Sequence, residues 1–163
     1  MCKYLPVAIE HRMVHFRLDD PSELIAEIEA IADRANGREW VTVSPWVDPE
    51  HLPVVSVLRR LFSARASKVP EVTWVPASGD QPAQLGVLHG TGPGALKRLV
   101  EAGVAPPDQW RPIQDHSKRG VLFSLPTPAS AATIVDFSVT IATILAEVPV
   151  DDRWIGQISS SAA

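Results

Sequence analysis

The residues whose types and spacing are best suited to chemistry form one short run, His89, Gly90, Thr91, Gly92, Pro93 and Gly94, between an apolar stretch and a helical one. Backbone amides in such a turn, with the positive end of the following helix, can seat a phosphate or carboxylate. Gly90, Thr91 and Gly92 are therefore candidate ligand-binding residues. His89, at the exit of a strand, is the candidate catalytic residue, because imidazole titrates near neutrality and can serve as a general base or an anion partner. The run is neither G-x-G-x-x-G nor a P-loop, and no lysine follows in the Walker position. The competing reading is a tight turn before a proline-started helix, with His89 bonded to a backbone carbonyl.

Ser124 and Trp46 complete the candidate ligand-binding set. Four of the five tryptophans fall into two pairs along the chain, Trp40 with Trp110 and Trp74 with Trp154. Trp46 has no such counterpart and follows Pro45 just beyond an expected strand, which suits the aromatic wall of a pocket. Asp115 and His116 could form an acid–base pair, but adjacent residues rarely face one another as that work requires, so 114–119 reads as a loop before a strand. Asp20 reads as a helix cap. No G-x-S-x-G, H-x-H or H-E-x-x-H is present, and the single cysteine, Cys2, allows neither an internal disulfide nor a cysteine cluster. No metal and no cofactor is expected.

The elements that must position these residues follow from periodicity. Strands are expected at 13–18, 40–44, 72–75, 85–89, 121–124 and 154–158, and helices from Asp20 to a stop at Gly37, then at 52–64, 93–102 and 129–146. The order repeats. Pro21 matches Pro93, Leu24 matches Leu96 and Ser44 matches Ser124, so 12–79 and 83–160 read as two βαβαβ pseudo-repeats related by a pseudo-twofold axis. The expected fold is a single α/β domain (mixed α+β) over 1–163, with loose termini at 1–10 and 159–163. Helical crossovers predict parallel strands within each half, a hairpin at 77–82 joins the halves, and the central order is ferredoxin-like within a mixed sheet carrying packed helices. In that arrangement His89 to Gly92 and Ser124 share one rim. Arg17, Asp19, Ser44 and Trp46, with Asp115, His116 and Arg119, share the other, and His89 and His116 lie a strand length of roughly 15 Å apart.

Composition narrows the partners. Hydrophobic residues make up 45% and charged residues 21%, and a net charge of −4 with scattered basic residues leaves no footprint for nucleic acid. The charge-poor stretch 121–150 is interrupted by prolines, Asp136 and Glu147, so no membrane span is expected. The start of the sequence lacks the features of a signal peptide, which suggests a cytoplasmic protein, and the Ala-, Pro- and Arg-tolerant composition suits a GC-rich bacterial genome. The helix 129–146, with Asp136 as its only charge, must be covered either by the fold itself or by a second copy in a homodimer.

Two functions follow as expectations. One is a small-molecule-binding protein, enzyme or not, whose anionic ligand sits on Gly90, Thr91 and Gly92 beside His89. The other is an interaction or dimerisation module acting through 129–146.

Overall fold

The computed structural model describes residues 8–51 and 68–162; the expected helix 52–64 lies outside them. Seven strands are present: β1 (Ile9–Arg17), β2 (Glu39–Pro45), β3 (Glu71–Val75), β4 (Gln84–Leu88), β5 (Arg111–His116), β6 (Gly120–Ser124) and β7 (Arg153–Ser161). Three α-helices accompany them among the described residues: α1 (Ser22–Arg34), α2 (Ala95–Glu101) and α3 (Ala131–Leu145). The strands form one sheet in the order β1-β7-β2-β3-β4-β6-β5, and every neighbouring pair is antiparallel.

Period-two alternation decides which face is buried. Val14 and Phe16, Val41 and Val43, Val72 and Trp74, Leu85 and Val87, Val121 and Phe123, and Trp154 and Ile158 all point to one side and are buried there. The helices pack on that side. In α1 the buried residues are Leu24, Ile28 and Ile31, at helical spacing, with Glu23 in the first turn and Arg34 in the last to oppose the helix dipole. The N-cap position is taken by Pro21 rather than by Asp20, and no side chain caps the helix; Asp20 Oδ1, one residue earlier, accepts from the Ser22 hydroxyl at 2.5 Å and the Ser22 backbone N–H at 3.4 Å. The helix ends at Ala35, in the left-handed region with φ 42°, two residues before Gly37.

The apolar helix α3 is central to the fold. The Ser130 hydroxyl caps it by accepting from Thr133 N–H. It crosses the sheet beneath β2 and β3 with α1 and α2 on either side, and Phe137 meets Trp110 and Phe123 edge-on at ring separations of 5.2 and 5.5 Å. Its polar residues close their bonds within the helix. Ser138, wholly buried, donates to Ile134 O at 2.6 Å, which removes the cost of burying a hydroxyl.

Several expectations are corrected by this topology. The sheet order is not ferredoxin-like. An unexpected strand, β5, occupies 111–116, so β4 and β6 become antiparallel neighbours rather than a parallel pair. β5 is an edge strand with little alternation and a bulge between Pro112 and Gln114, so it lacks the pattern that marks a half-buried strand. Crossover helices do join strands of the same direction, β1 to β2 and β4 to β5, but an antiparallel strand fills each gap, β7 in the first and β6 in the second. The two stretches read as repeats thus differ in strand order, and the tryptophan pairing divides. Trp74 and Trp154 are both buried under the helices, whereas Trp40 is half-exposed on the opposite face and Trp110 is buried before β5. Of the residues read as loose ends, Ile9 and Glu10 belong to β1, and Ser159 to Ser161 belong to β7.

Candidate functional site

Because β1, β2, β4 and β5 run in one direction, their carboxyl ends share a rim with the amino ends of β7, β3 and β6. Rims of this kind collect loops that can be varied without disturbing the sheet. At one side of it, over β1, β7 and β2, lies an open cleft of about 560 Å³ lined by His15, Arg17, Asp20, Ser22, Glu23, Trp46 and Arg153, with Phe16 and Trp154 beneath. β1 supplies His15 and Arg17, the first turn of α1 supplies Ser22 and Glu23, the exit of β2 supplies Trp46, and the start of β7 supplies Arg153. Trp46 is fixed from its backbone, since its N–H donates to Arg153 O at 2.9 Å. Its indole stays 37% exposed and meets His15 edge-on at 6.3 Å.

The charges around the cleft are unevenly committed. Arg153 donates to Asp151 through Nε at 2.8 Å and through the terminal guanidinium nitrogen at 2.5 Å, and reaches Asp48 at 3.1 Å. These bonds raise the guanidinium's affinity for its proton and hold the Asp151 carboxyl below the usual carboxylate range. Arg17 is ion-paired with Asp152. The Ser22 hydroxyl likewise keeps Asp20 below its ordinary value. Two arginines therefore face three aspartates, and Asp20 and Glu23 add further negative charge. Among the described residues Glu23 has no ion-pair partner.

The glycine-rich turn is built differently. His89 is 1% exposed, its Nδ1 lies 2.8 Å from the Thr91 hydroxyl, and its buried Nε2 has no hydrogen-bond partner among the described residues. Burial pushes the imidazole below its ordinary pKa; Asp115 pulls it upward and Arg98 adds to the depression. Gly92 and Gly94 take φ of 77° and 82°, values that glycine adopts without strain. The helix that follows has only seven residues, and its first turn is already served by the protein's own anion: Asp115 Oδ2 accepts Leu96 N–H at 3.3 Å.

The rims are also corrected. His89, Gly90, Thr91 and Gly92 share a rim with Trp46 and with His116, because β2 and β4 point the same way. Ser124, at the carboxyl end of β6, sits at the opposite end of the sheet, opposite Gln84 and Arg111. His89 and His116 do not lie a strand length apart; both flank the start of β6, where His116 pairs with Gly120. They do not act as a pair. His116 Nδ1 accepts the backbone N–H groups of Lys118 and Arg119 at 3.1 and 3.2 Å and so holds the β5–β6 turn.

Of the residues singled out by type and spacing, Trp46 lines the cleft together with Arg17 and Asp20, whereas His89, Gly90, Thr91, Gly92 and Ser124 do not. His15, Glu23 and Arg153 were not anticipated: each reads locally as the solvent side of a regular element, and only the insertion of β7 beside β1 brings them together. Among the described residues no group of three His, Cys, Asp or Glu side chains is placed to hold a metal ion, and no helix is long and apolar enough to cross a membrane. Comparison with family models, with curated proteins and with solved structures finds no match to this chain.

Proposed function

We propose that the protein binds a small organic cation in the Trp46 cleft. The observation that carries this reading is the pairing of an exposed indole with an uncompensated carboxylate: Trp46 offers an aromatic face, Glu23 is unpaired, and both arginines are neutralised by Asp48, Asp151 and Asp152. An ammonium or guanidinium group over an indole gains roughly 0.5–2 kcal/mol, more as water is excluded. The reading keeps the small-molecule class expected from the sequence but moves the ligand from Gly90, Thr91 and Gly92 to the cleft and reverses its charge. At the glycine-rich turn a ligand anion would have to approach the Asp115 carboxylate, which works against seating one there. The alternative of a module acting through 129–146 is less favoured, because the apolar side of that helix already lies against the sheet.

The test is a calorimetric titration with tetramethylammonium, benzylamine and arginine amide against benzoate and phosphate. The cations should bind the wild type and lose most of their affinity to Trp46→Ala. Equal binding of benzoate or phosphate would refute the charge preference, and no response to any cation would refute the site.

A further inference from the structure

We propose that two copies of this chain associate through the free edge of β1, strand against antiparallel strand, about a twofold axis at His11. The inference is independent of the cleft and starts from the hydrogen-bond register. Leu18 N–H donates to Asp152 O and Ala162 N–H to Ala8 O, so even-numbered residues along β1 turn their backbone groups toward β7. Ile9, His11, Met13 and His15 must then direct theirs outward, along an edge with no strand partner among the described residues, while Arg17 O accepts Asp20 N–H at 3.0 Å in the turn beyond. The two edges of the sheet are not alike. β5 is six residues long, contains Pro112 and is bulged, features that discourage pairing, whereas β1 has nine residues in unbroken register and no proline.

Charge selects both the occupant and the register. Side chains of the even residues emerge on the helix side, where Glu10 has no ion-pair partner among the described residues and Arg12 reaches Glu27 at 2.6 Å. With the axis at His11, Glu10 of each copy falls opposite Arg12 of the other, at non-hydrogen-bonded positions where Cα atoms approach to about 4.5 Å. Ile9 falls opposite Met13 on the other face, and both are about half exposed in the single chain, at 50% and 51%. Ile9, His11 and Met13 exchange their outward backbone bonds with Met13, His11 and Ile9 of the second copy. Moving the axis to Arg12 sets two arginines face to face, and moving it to Met13 sets Glu10 against Phe16. Only the His11 register matches both charges, and opposite charges directly across a strand pair stabilise it where like charges oppose it.

Light scattering after size exclusion, over a concentration series of the full chain, tests this. The wild type should tend to 35.4 kDa, twice the 17.7 kDa chain. Met13→Pro removes an outward N–H and none of the bonds to β7, and should give 17.7 kDa with an unchanged circular dichroism spectrum. Glu10→Arg and Arg12→Glu should each give monomer, and the double swap should restore the dimer; these decide the matter if the proline variant misfolds. A monomeric wild type at every concentration overturns the proposal. So does a dimer indifferent to the charge swaps, which would place the interface elsewhere.

Discussion

Asp115 accepts the backbone N–H of Leu96 at 3.3 Å, so an edge strand caps a helix nineteen residues before it. The residue that looked like half of an acid–base pair is a structural anion for α2. A short helix without a side-chain cap of its own depends on such outside acceptors for its unpaired amides. Asp115→Ala should cost about 0.5–2 kcal/mol in urea unfolding and accelerate amide exchange at Leu96 and Lys97 before any other helix. Unchanged exchange in α2 would show that the contact holds nothing.

His89 makes stability depend on pH in a definite direction. Well above the ordinary imidazole value of 6.5 the ring is neutral in the folded and unfolded chain alike. Below it the unfolded chain takes up a proton that the buried ring resists, so stability falls from that point down through the folded-state value. One proton limits the slope to about 1.4 kcal/mol per pH unit. The charges that act on the ring are Asp115 on β5 and Glu147 beyond α3, which pull its pKa up, and Arg98 on α2, which pushes it down. Urea unfolding of the wild type and His89→Gln at pH 7.5 and 5.5 should show a shallower dependence in the variant. Asp115→Asn, which removes the upward pull, should lower the pKa of His89 further by proton NMR.

At Gly156 the side chain of Leu24 on α1 packs directly over the sheet backbone. A Cβ at position 156 would fall within the wholly buried Leu24 side chain. Gly156→Ala should therefore destabilise by about 1–3 kcal/mol through overpacking. Combined with Leu24→Ala, which itself costs about 2–5 kcal/mol, the loss should be clearly less than the sum. Strict additivity in that cycle would mean that the two sites do not press on one another.

Glu23 carries the charge preference assigned to the cleft. Because it is exposed, Glu23→Gln should leave stability within about 0.5 kcal/mol of the wild type. It should nonetheless weaken tetramethylammonium binding several-fold and flatten its dependence on salt. Affinity that does not respond to the substitution would remove Glu23 from the site.

Much of the local structure could be read from residue types. Leu24, Ile28 and Ile31 mark α1, the near absence of charge marks α3 as a covered helix, and alternating Val, Leu and Trp residues mark six of the seven strands. β5 escaped because Arg111 to His116 carry no buried face: an edge strand lying beyond the helices needs no apolar alternation. That omission decided the direction of β6 relative to β4, and with it the position of Ser124. Trp46 was recognisable as an aromatic without a structural counterpart. Arg17 was placed on the same rim, but Arg153 and Glu23 were not, because their meeting with Trp46 depends on which strand enters the gap between β1 and β2, a long-range choice that local pattern does not encode.

The position of β7 has a consequence for the order in which this molecule can be completed. His11 and Ser159, bonded side chain to side chain at 2.9 Å, are separated by 148 residues, and β7 pairs with β1 and β2 along most of its length. During synthesis β1, α1 and β2 leave the ribosome before the strand that separates them in the finished sheet. That strand is supplied only when residues 153–161 arrive. Until then apolar strand faces such as Val14, Phe16, Val41 and Val43 lack their β7 neighbours, and incomplete chains expose strand edges of the kind that pair with other molecules.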